Sequence, residues 1–334
     1  MSILVLGAGG QVGREIAGRL GEAGHALTHS ALDITRPDAI ARALDRHHPT
    51  VLINAAAYTA VDRAESEPDR AEAINRDGAA HLATACAQRG IALLHLSTDY
   101  VFDGRADAPY TPADAVNPLG QYGRSKAAGE AAIRQALPAH LILRTSWVFG
   151  RHGGNFVKTM LRLARDRDAL NIVDDQIGGP TPAAALAEAL LGLARTIALG
   201  RAWPWGTYHY AGAPAVSWRG FADVIFAEAL QAGLISRAPQ VRAITTAEYP
   251  TPALRPLNSQ LDMRDTEARL GLSPPDWQAC CDKANLHRPR GFSVAPGIRP
   301  APPACWPAPP GSFCRRACKA SPANWSAKIS SPAG

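Results

Sequence analysis

Short apolar runs alternate with stretches of helical periodicity through the first 150 residues. Ile3–Leu6 is apolar throughout, which is typical of a strand buried on both faces, and Val12, Ile16 and Leu20 then recur at helical spacing. Strands that alternate with crossover helices predict an α/β fold with a parallel, doubly wound sheet. Further buried strands are predicted at residues 51–53, 91–96 and 141–143, and longer helices at residues 69–88 and 125–137.

The pattern is less regular after residue 150. Proline- and glycine-containing loops separate short helices, which predicts a smaller mixed α/β part that rests on the same sheet. Residues 279–334 carry ten of the 27 prolines and little periodicity, so this segment is predicted to be a disordered tail. The short helices are predicted at residues 156–167, 182–199 and 218–232.

The net charge of +6 belongs to the tail. Residues 279–334 hold eight of the 35 Lys and Arg residues but one of the 29 acids, so residues 1–278 are nearly neutral and indicate no nucleic-acid partner. Five of the six cysteines also lie there, so the body suits a reducing compartment without disulfides.

No apolar run reaches the roughly 18 residues of a membrane span. Because the chain opens directly into a strand, we expect a cytoplasmic protein.

A glycine-rich turn follows the first strand and precedes a helix, as GAGGQVG from Gly7 to Gly13. Glycines permit a tight turn and let the backbone approach a pyrophosphate at the positive end of the helix. This motif predicts a Rossmann-type dinucleotide-binding domain over residues 1–150, with residues 151–278 as an interleaved substrate-binding part. The second strand, at residues 25–30, lacks the acid that commonly binds the ribose 2′-hydroxyl, so NADPH is as acceptable as NADH.

Tyr122 and Lys126 are four residues apart on a predicted helix, which places them on one face. An ammonium beside a phenol is expected to lower the phenol pKa, which favours proton transfer near neutrality. Thr98 follows the strand predicted at residues 91–96 and offers a second hydrogen-bond donor to a carbonyl oxygen. Thr, Tyr and Lys together form the hydride-transfer constellation of short-chain dehydrogenases.

Several longer segments resemble the dTDP-4-dehydrorhamnose reductases, a family of extended short-chain dehydrogenases. The resemblance spans roughly residues 1–278 and includes the glycine turn. The segments that carry it are NAAAYTAVDRAE at 54–65, STDYVF at 97–102, YGRSK at 122–126, RTSWV at 144–148, NFVKTM at 155–160, DQIGGPT at 175–181 and YPTP at 249–252.

This resemblance implies the reduction of the C4 keto group of dTDP-4-dehydro-β-L-rhamnose by NADPH or NADH, to give dTDP-L-rhamnose. Tyr122 would protonate the sugar O4, Lys126 would hold the nicotinamide ribose, and Thr98 would hydrogen-bond the keto oxygen. Further cofactor contacts are implied at Gly7, Gly10, Gln11 and Val12 for the pyrophosphate, Asp33 and Ile34 for the adenine side, and Ala57, Tyr58 and Thr59 for the ribose and nicotinamide. Further substrate contacts are implied at Asp99, Trp147, Asn155 and Arg255.

The chain departs from the family at two places. Some enterobacterial members bind Mg²⁺ at a dimer interface through two glutamates; Glu15 matches the first, but Ala184 stands at the second. We therefore predict no metal site, while a homodimer stays open. Beyond residue 278 the sequence no longer resembles the family, and its abrupt change of composition is what a reading-frame shift would produce.

Two other functions stay open. One is a sugar-nucleotide epimerase or dehydratase on the same scaffold, because dehydratases place an acid beside the catalytic Thr, as Asp99 is here. The other is a non-catalytic subunit resembling the regulatory subunit of methionine adenosyltransferase. An intact Thr98, Tyr122 and Lys126 disfavour the second, since a binding module has no use for a proton donor.

Overall fold

The computed structural model describes residues 2–200 and 203–281. Its strands are Ile3–Leu6 (β1), Gly24–Leu27 (β2), Val51–Asn54 (β3), Ala92–Thr98 (β4), His140–Thr145 (β5), Val148–Phe149 (β6), Ala169–Val173 (β7), Ile177–Gly178 (β8), Thr181–Pro182 (β9), Gly206–His209 (β10), Val216–Ser217 (β11), Gln240–Ile244 (β12) and Asn258–Ser259 (β13).

Helices connect most of these strands. They are Gln11–Leu20 (α1), Pro37–His47 (α2), Val61–Ala64 (α3), Pro68–Glu72 (α4), Gly78–Arg89 (α5), Gln121–Ala136 (α6), Phe156–Asp166 (α7), Ala183–Ala198 (α8), Trp218–Gln231 (α9), Arg264–Leu270 (α10) and Trp277–Cys281 (α11). A π-helical turn, Ala73–Asp77, lies between α4 and α5. None of the helices in the described part of the chain is long and apolar enough to cross a membrane.

The main sheet has six strands in the order β10-β5-β4-β3-β1-β2, and every neighbouring pair is parallel. The predicted parallel, doubly wound sheet is therefore confirmed. The strand order reverses between β1 and β3, and ligands of such sheets bind at the carboxyl ends of the strands at this switch point. The loops after β1, β3, β4 and β5 all emerge at this edge, and they carry the predicted site residues.

Both faces of the sheet are covered because side chains along a strand point alternately to opposite sides. Ile3 and Val5 pack with α1 and α8 on one side, whereas Leu4 and Leu6 pack with α2 and α5 on the other. This double burial is the reason that the strands read as continuous apolar runs rather than as alternating ones.

The part of the chain after β5 contributes smaller sheets and one strand of the main sheet. β7 and β12 form a parallel pair, β8 lies between β11 and β13, and β6 pairs with β9. β10 lies at the edge of the main sheet beside β5, so this part and the first 150 residues share a sheet. Its core is aromatic: Phe221 contacts Phe149, Phe156 and Trp277.

The end of the described chain packs against this aromatic core. Trp277 is fully buried and its Nε1 donates to the carbonyl of Pro214 at 2.7 Å. The first three residues of the predicted tail, 279–281, belong to α11. The rest of that prediction, including the hypothesis of a shifted reading frame, lies outside the described residues.

Two predicted helices differ from the structure. The single helix predicted over residues 69–88 is divided by the π-helical turn, because the Asn75 side chain in this turn bonds the backbone of Tyr58. The helix predicted from residue 125 begins at Gln121, so Tyr122 and Lys126 lie in one continuous helix, α6.

Candidate active site

The glycine turn after β1 leaves an open helix N-terminus. Gly7 has φ +81°, and a Cβ there would lie 2.5 Å from the backbone of Ala55 in the loop after β3. Gly9 and Gly10 are exposed, and within the described structure no side chain caps α1 and no acid occupies its first turn. The first N–H groups of such a helix have no partner within it and attract an anion. The geometry therefore fits the pyrophosphate of a dinucleotide.

Gln11 and Asn155 connect this turn to the second part of the chain. The Gln11 Nε2 donates to the carbonyl of Val148 at 2.9 Å, and its Oε1 accepts from the Asn155 Nδ2 at 2.8 Å. Asn155 also caps α7 through its Oδ1, which accepts from the Lys158 N–H, and its Nδ2 donates to Gly150. Both side chains thus hold the turn in position, and Asn155 is already committed to protein partners.

The region expected at the adenine side lies beyond the end of β2. The hydroxyls of Thr28 and Ser30 bond each other at 2.9 Å, and the Asp33 Oδ1 accepts from both the N–H and the hydroxyl of Thr35. These bonds hold the pKa of Asp33 below its usual value. Ile34 is buried in the core beside α5, so its side chain anchors this loop to the core.

The loop after β3 is held by one asparagine. Asn75 accepts from the Tyr58 N–H at 2.9 Å, donates to the Tyr58 carbonyl at 3.0 Å, and also donates to the hydroxyl of Ser125 on α6 at 3.0 Å. The Tyr58 hydroxyl donates to Glu67 at 2.9 Å, while its neighbours Ala57 and Thr59 stay at least partly exposed. Asn75 therefore connects the loop predicted to line the ribose and nicotinamide with the helix of Tyr122.

Thr98, Tyr122 and Lys126 meet at the end of β4. The Tyr122 side chain lies beside that of Thr98, and its ring packs in the cluster that contains Tyr58 and meets the Tyr100 ring edge-on at 5.6 Å. Lys126, 2% exposed, donates from Nζ to the Leu96 carbonyl at 2.7 Å and lies 3.1 Å from His95 Nε2. The structure thus brings the three predicted catalytic residues to one place on the ligand edge of the sheet.

The pKa values of this group differ from the expectation. Burial raises the pKa of Tyr122 to about 12, although the neighbouring Thr98 hydroxyl acts in the opposite direction. Burial also lowers the pKa of Lys126 to about 8. The expected lowering of the Tyr122 pKa by Lys126 is wrong for this state, because the Lys126 amine contacts His95 and Leu96 rather than the phenol.

Asp99 lies directly beside this group and is 3% exposed. Its Oδ1 accepts from the Thr98 hydroxyl at 2.9 Å, which orients that hydroxyl. Burial raises the pKa of Asp99 to about 6, while its hydrogen bonds act in the opposite direction. A carboxyl group with this pKa changes charge close to neutrality, next to Tyr122.

Trp147 has one face of its indole covered. It stacks on Trp218 with ring centroids 3.6 Å apart and an angle of 10° between the planes. A Cβ on Gly178 would lie 2.6 Å from the Trp147 ring, so a glycine is required there. Trp218 donates from Nε1 to Gln176 at 3.1 Å. Gly178 and Gln176 belong to the DQIGGPT segment, which therefore supports a half-buried indole platform.

Arg255 lies at the rim of the site and is paired. Its Nη1 and Nη2 bond the two carboxylate oxygens of Asp62 at 2.9 and 2.8 Å, and this pairing lowers the pKa of Asp62. The guanidinium also acts on the nearby phenol of Tyr100, and it lines a cavity of about 550 Å³ with Arg105 and Asn258. If Arg255 contacts a diphosphate as expected, its guanidinium does so while it is also bonded to the Asp62 carboxylate.

The chain matches known proteins along its described body. The family model described as RmlD substrate binding domain matches residues 1–285. A dTDP-4-dehydrorhamnose reductase of Aggregatibacter actinomycetemcomitans is 48% identical over 280 residues, which cover 83% of this chain and 95% of that protein. The chain belongs to the RmlD family.

Other members of the RmlD family agree with this assignment. The dTDP-4-dehydrorhamnose reductase of Salmonella typhimurium is 40% identical over 284 residues, covering 83% of this chain and 95% of that protein. A crystal structure of the Bacillus anthracis dTDP-4-dehydrorhamnose reductase in complex with NADP has a TM-score of 0.77 and 34% identity, and the match covers 84% of this chain and 96% of that one.

The magnesium site of some RmlD family members does not fit the residues present. The buried carboxylate of Glu15 pairs with Arg19 and, at 3.0 Å, with Arg151, and the His152 imidazole lies 3.6 Å away. Two guanidinium groups thus occupy the place that a cation would take. Among residues 2–200 and 203–281, no group of three or more His, Cys, Asp or Glu side chains is placed to hold a metal ion.

Sequence reasoning missed several polar residues beneath this RmlD-type site. His95 is the one strongly polar residue inside the apolar run of β4, and that position was the available signal. Glu130 and Arg144 form a buried ion pair with bonds of 2.9 and 2.7 Å, which fastens α6 to β5. Asn75 lies in a helix-like stretch, where nothing in the local pattern indicated its contacts.

Proposed function

We propose that this chain reduces the C4 keto group of dTDP-4-dehydro-β-L-rhamnose with NADPH or NADH and so forms dTDP-L-rhamnose. The observation that carries the proposal is the meeting of Thr98, Tyr122 and Lys126 at the end of β4, across the switch point from the open N-terminus of α1. A proton donor and a dinucleotide cradle on one sheet edge are the two requirements of a nicotinamide-dependent ketone reduction.

In this proposal the first part of the chain, residues 1–150, binds the cofactor. Gly7, Gly10, Gln11 and Val12 form the pyrophosphate cradle. The end of β2 presents Thr28, His29 and Ser30 and no acid, so a 2′-phosphate meets no carboxylate there. The remaining cofactor contacts that we propose are Asp33, Ile34, Ala57, Tyr58 and Thr59.

A nicotinamide cofactor held by these residues would supply a hydride to the sugar C4. Tyr122 donates its phenolic proton to O4 as negative charge develops on that oxygen, and the Thr98 hydroxyl turns from Asp99 to donate a second hydrogen bond to O4. Lys126 lies one helical turn from Tyr122 and holds the nicotinamide ribose. Because a phenol with a raised pKa is fully protonated at neutral pH, Tyr122 is in the state that the reduction requires.

The second part of the chain, residues 151–278, together with the loops after β4 and β5, binds the nucleotide sugar in this proposal. Trp147 offers the free part of its indole to the apolar face of the sugar, and Asp99 accepts from a sugar hydroxyl. Arg255 donates to the diphosphate while it stays paired with Asp62. Asn155 acts on the substrate indirectly, since it holds Gln11 and caps α7.

The test is a cofactor balance with the purified chain. With dTDP-4-dehydro-β-L-rhamnose and NADPH, we expect one NADPH to be oxidised for each dTDP-L-rhamnose formed, and the same assay with NADH measures cofactor preference. An epimerase or dehydratase would convert its sugar without net oxidation of NADPH. A chain that binds NADPH but converts no sugar would instead be the non-catalytic binding module.

We also propose that the chain forms a homodimer, because it resembles a family in which some members have a dimer interface. Sedimentation of the full chain at several concentrations measures the assembly. A monomer at every concentration would remove the dimer from the proposal without affecting the proposed reaction.

A further inference from the structure

His95 is a buried imidazole between two polar side chains beneath the site. It lies within β4, is 1% exposed, and has apolar neighbours along the strand. Its Nδ1 lies 3.0 Å from the Asn54 Nδ2, and its Nε2 lies 3.1 Å from the Lys126 Nζ. Both ring nitrogens therefore have one protein partner each.

The orientation of the Asn54 amide decides which ring nitrogen carries the hydrogen. The Asn54 Oδ1 accepts from the Ala56 N–H at 3.0 Å, so the amide NH₂ faces His95. An NH₂ group can only donate, and Nδ1 must therefore be the acceptor. Burial holds the pKa of His95 well below its usual value, so the ring is neutral and its hydrogen is on Nε2.

This tautomer has a consequence for Lys126. The Nε2–H of His95 points to the Lys126 Nζ, and two donors cannot bond each other, so Nζ must offer a lone pair. An uncharged amine has one lone pair and still donates to the Leu96 carbonyl at 2.7 Å. We propose that His95, oriented by Asn54, is a positioning residue that favours the uncharged amine of Lys126 over the ammonium.

The charged groups around Lys126 do not prevent its amine from being uncharged. Glu130, one turn further along α6, favours the ammonium, but its carboxylate is already bonded by Arg144 and Arg134. From the strand side the titratable group is His95. Asp99, in the turn after β4, acts on the Tyr122 phenol.

The elements packed on the other side of α6 add little charge. Asn75 in the π-helical turn is neutral, and the half-buried Arg76 is paired with Glu72 and Asp77. Glu65, after α3, accepts from the backbone of Gln121. Burial therefore dominates, and it favours the uncharged amine.

The significance for turnover rests on the proposed function, because Lys126 matters there as the partner of the nicotinamide ribose and of Tyr122. Because His95 favours the uncharged amine, further acceptors around Lys126 shift it toward the ammonium that stabilises a phenolate. The charge of Lys126 then depends on how many hydrogen-bond acceptors surround its amine.

The first test does not depend on activity. Long-range proton–nitrogen NMR of the histidine-labelled, cofactor-free full chain distinguishes the two neutral tautomers, and the His95→Gln variant identifies the His95 signal by its loss. We expect hydrogen on Nε2. Hydrogen on Nδ1, or a doubly protonated ring, would overturn the proposal whether or not the chain reduces the sugar.

The second test uses the pH profile of the same variant. A glutamine can turn its side-chain oxygen to an ammonium, so we expect the alkaline limb of kcat/KM for NADPH, which reports the protein before the cofactor binds, to move up by about one pH unit in His95→Gln. His140→Gln is the matched control, since His140 is a buried imidazole bonded to the Leu137 carbonyl outside the site; its profile should not move. An unmoved limb in folded His95→Gln would contradict the proposal. If that variant does not fold, the tautomer of the wild-type chain decides.

Discussion

The Arg255 guanidinium donates from Nη1 to the Asp62 Oδ1 at 2.9 Å and from Nη2 to the Asp62 Oδ2 at 2.8 Å. The pair joins the YPTP loop to α3, which follows the loop after β3. The Ala253 N–H adds a bond to the same carboxylate at 3.2 Å, and the guanidinium returns one to the Ala253 carbonyl. Arg255 therefore shapes the rim of the site as well as supplying a positive charge to it.

We expect Arg255 and Asp62 to act as a unit on substrate binding. Arg255→Lys cannot bond both carboxylate oxygens, so the KM for the nucleotide sugar should rise about tenfold while NADPH affinity stays unchanged. Asp62→Asn should raise this KM as well, and the double variant should be little worse than either single one. Arg264→Lys, at an exposed arginine paired with Asp262, is the control. Strictly additive effects would show that the two residues act separately.

Tyr122→Phe removes the proposed proton donor without changing the shape of the ring. We expect kcat to fall by roughly a hundredfold to ten-thousandfold, because general acid catalysis has this range, while the Kd for NADPH changes little. Steady-state rates and cofactor titration by fluorescence measure the two effects. Tyr210→Phe, at a buried tyrosine of the core behind the sheet, should leave kcat unchanged. A Tyr122→Phe variant of normal rate would remove Tyr122 from the mechanism.

Asp99→Asn should stabilise the protein near neutral pH. The folded-state pKa of Asp99 is raised to about 6, so its favourable contribution is complete below about pH 4 and is lost as the pH rises through 6. The variant should therefore gain about 2 kcal/mol of unfolding free energy at about pH 7.5, and the gain should vanish at acid pH. Urea unfolding across this range measures it.

Asp103→Asn is the control for this pH dependence. Hydrogen bonds from Tyr110, Arg105 and Asn117 lower the pKa of Asp103, so its contribution is present above about pH 4 and is lost as the pH falls through the lowered value. Its variant should therefore lose stability at neutral pH, the opposite sign. A destabilised Asp99→Asn at neutral pH would show that the buried charge is compensated.

Asn75→Ala should weaken cofactor binding. Three hydrogen bonds are lost, and the backbone N–H and carbonyl of Tyr58 lose their side-chain partner, which should cost about 1 to 3 kcal/mol of folding free energy. Because the loop of Tyr58 is released, the Kd for NADPH should rise more than the KM for the sugar. Ser125→Ala removes one bond and should have a smaller effect. Equal losses in both variants, or an unchanged Kd, would contradict this role.

Removal of divalent metal should have no effect. Since Arg19 and Arg151 neutralise Glu15, we expect dialysis against EDTA to leave the rate, the assembly and the thermal midpoint unchanged. Arg151→Ala should instead lower the midpoint, because it leaves Glu15 buried with fewer partners. A loss of assembly in EDTA that Mg²⁺ reverses would show that the chain retains a metal site.

Much of the fold could be predicted because its signals are local. The four apolar runs belong to one parallel sheet that is buried on both faces, and each of them is a strand in the structure. Tyr122 and Lys126 share a helix face for the same reason, since their spacing alone defines it. The glycine turn was recognisable because a backbone with φ +81° at Gly7 and a close approach at Gly13 admit few other residues.

The partners of each polar side chain could not be predicted, because they come from distant parts of the chain. Lys126 was expected to act on Tyr122, its neighbour along the helix, but β4 places a carbonyl and an imidazole closer to the amine. Arg255 and Asp62 are separated by 193 positions, and the Gln11–Asn155 bond spans 144.

Residue types and their spacing thus determined the sheet, most of the helices and the identity of the group proposed as catalytic. Tertiary packing alone decided the charge and orientation of that group. Burial sets the pKa values of Tyr122, Lys126 and Asp99, and burial is a property of everything that surrounds a side chain rather than of its neighbours in sequence.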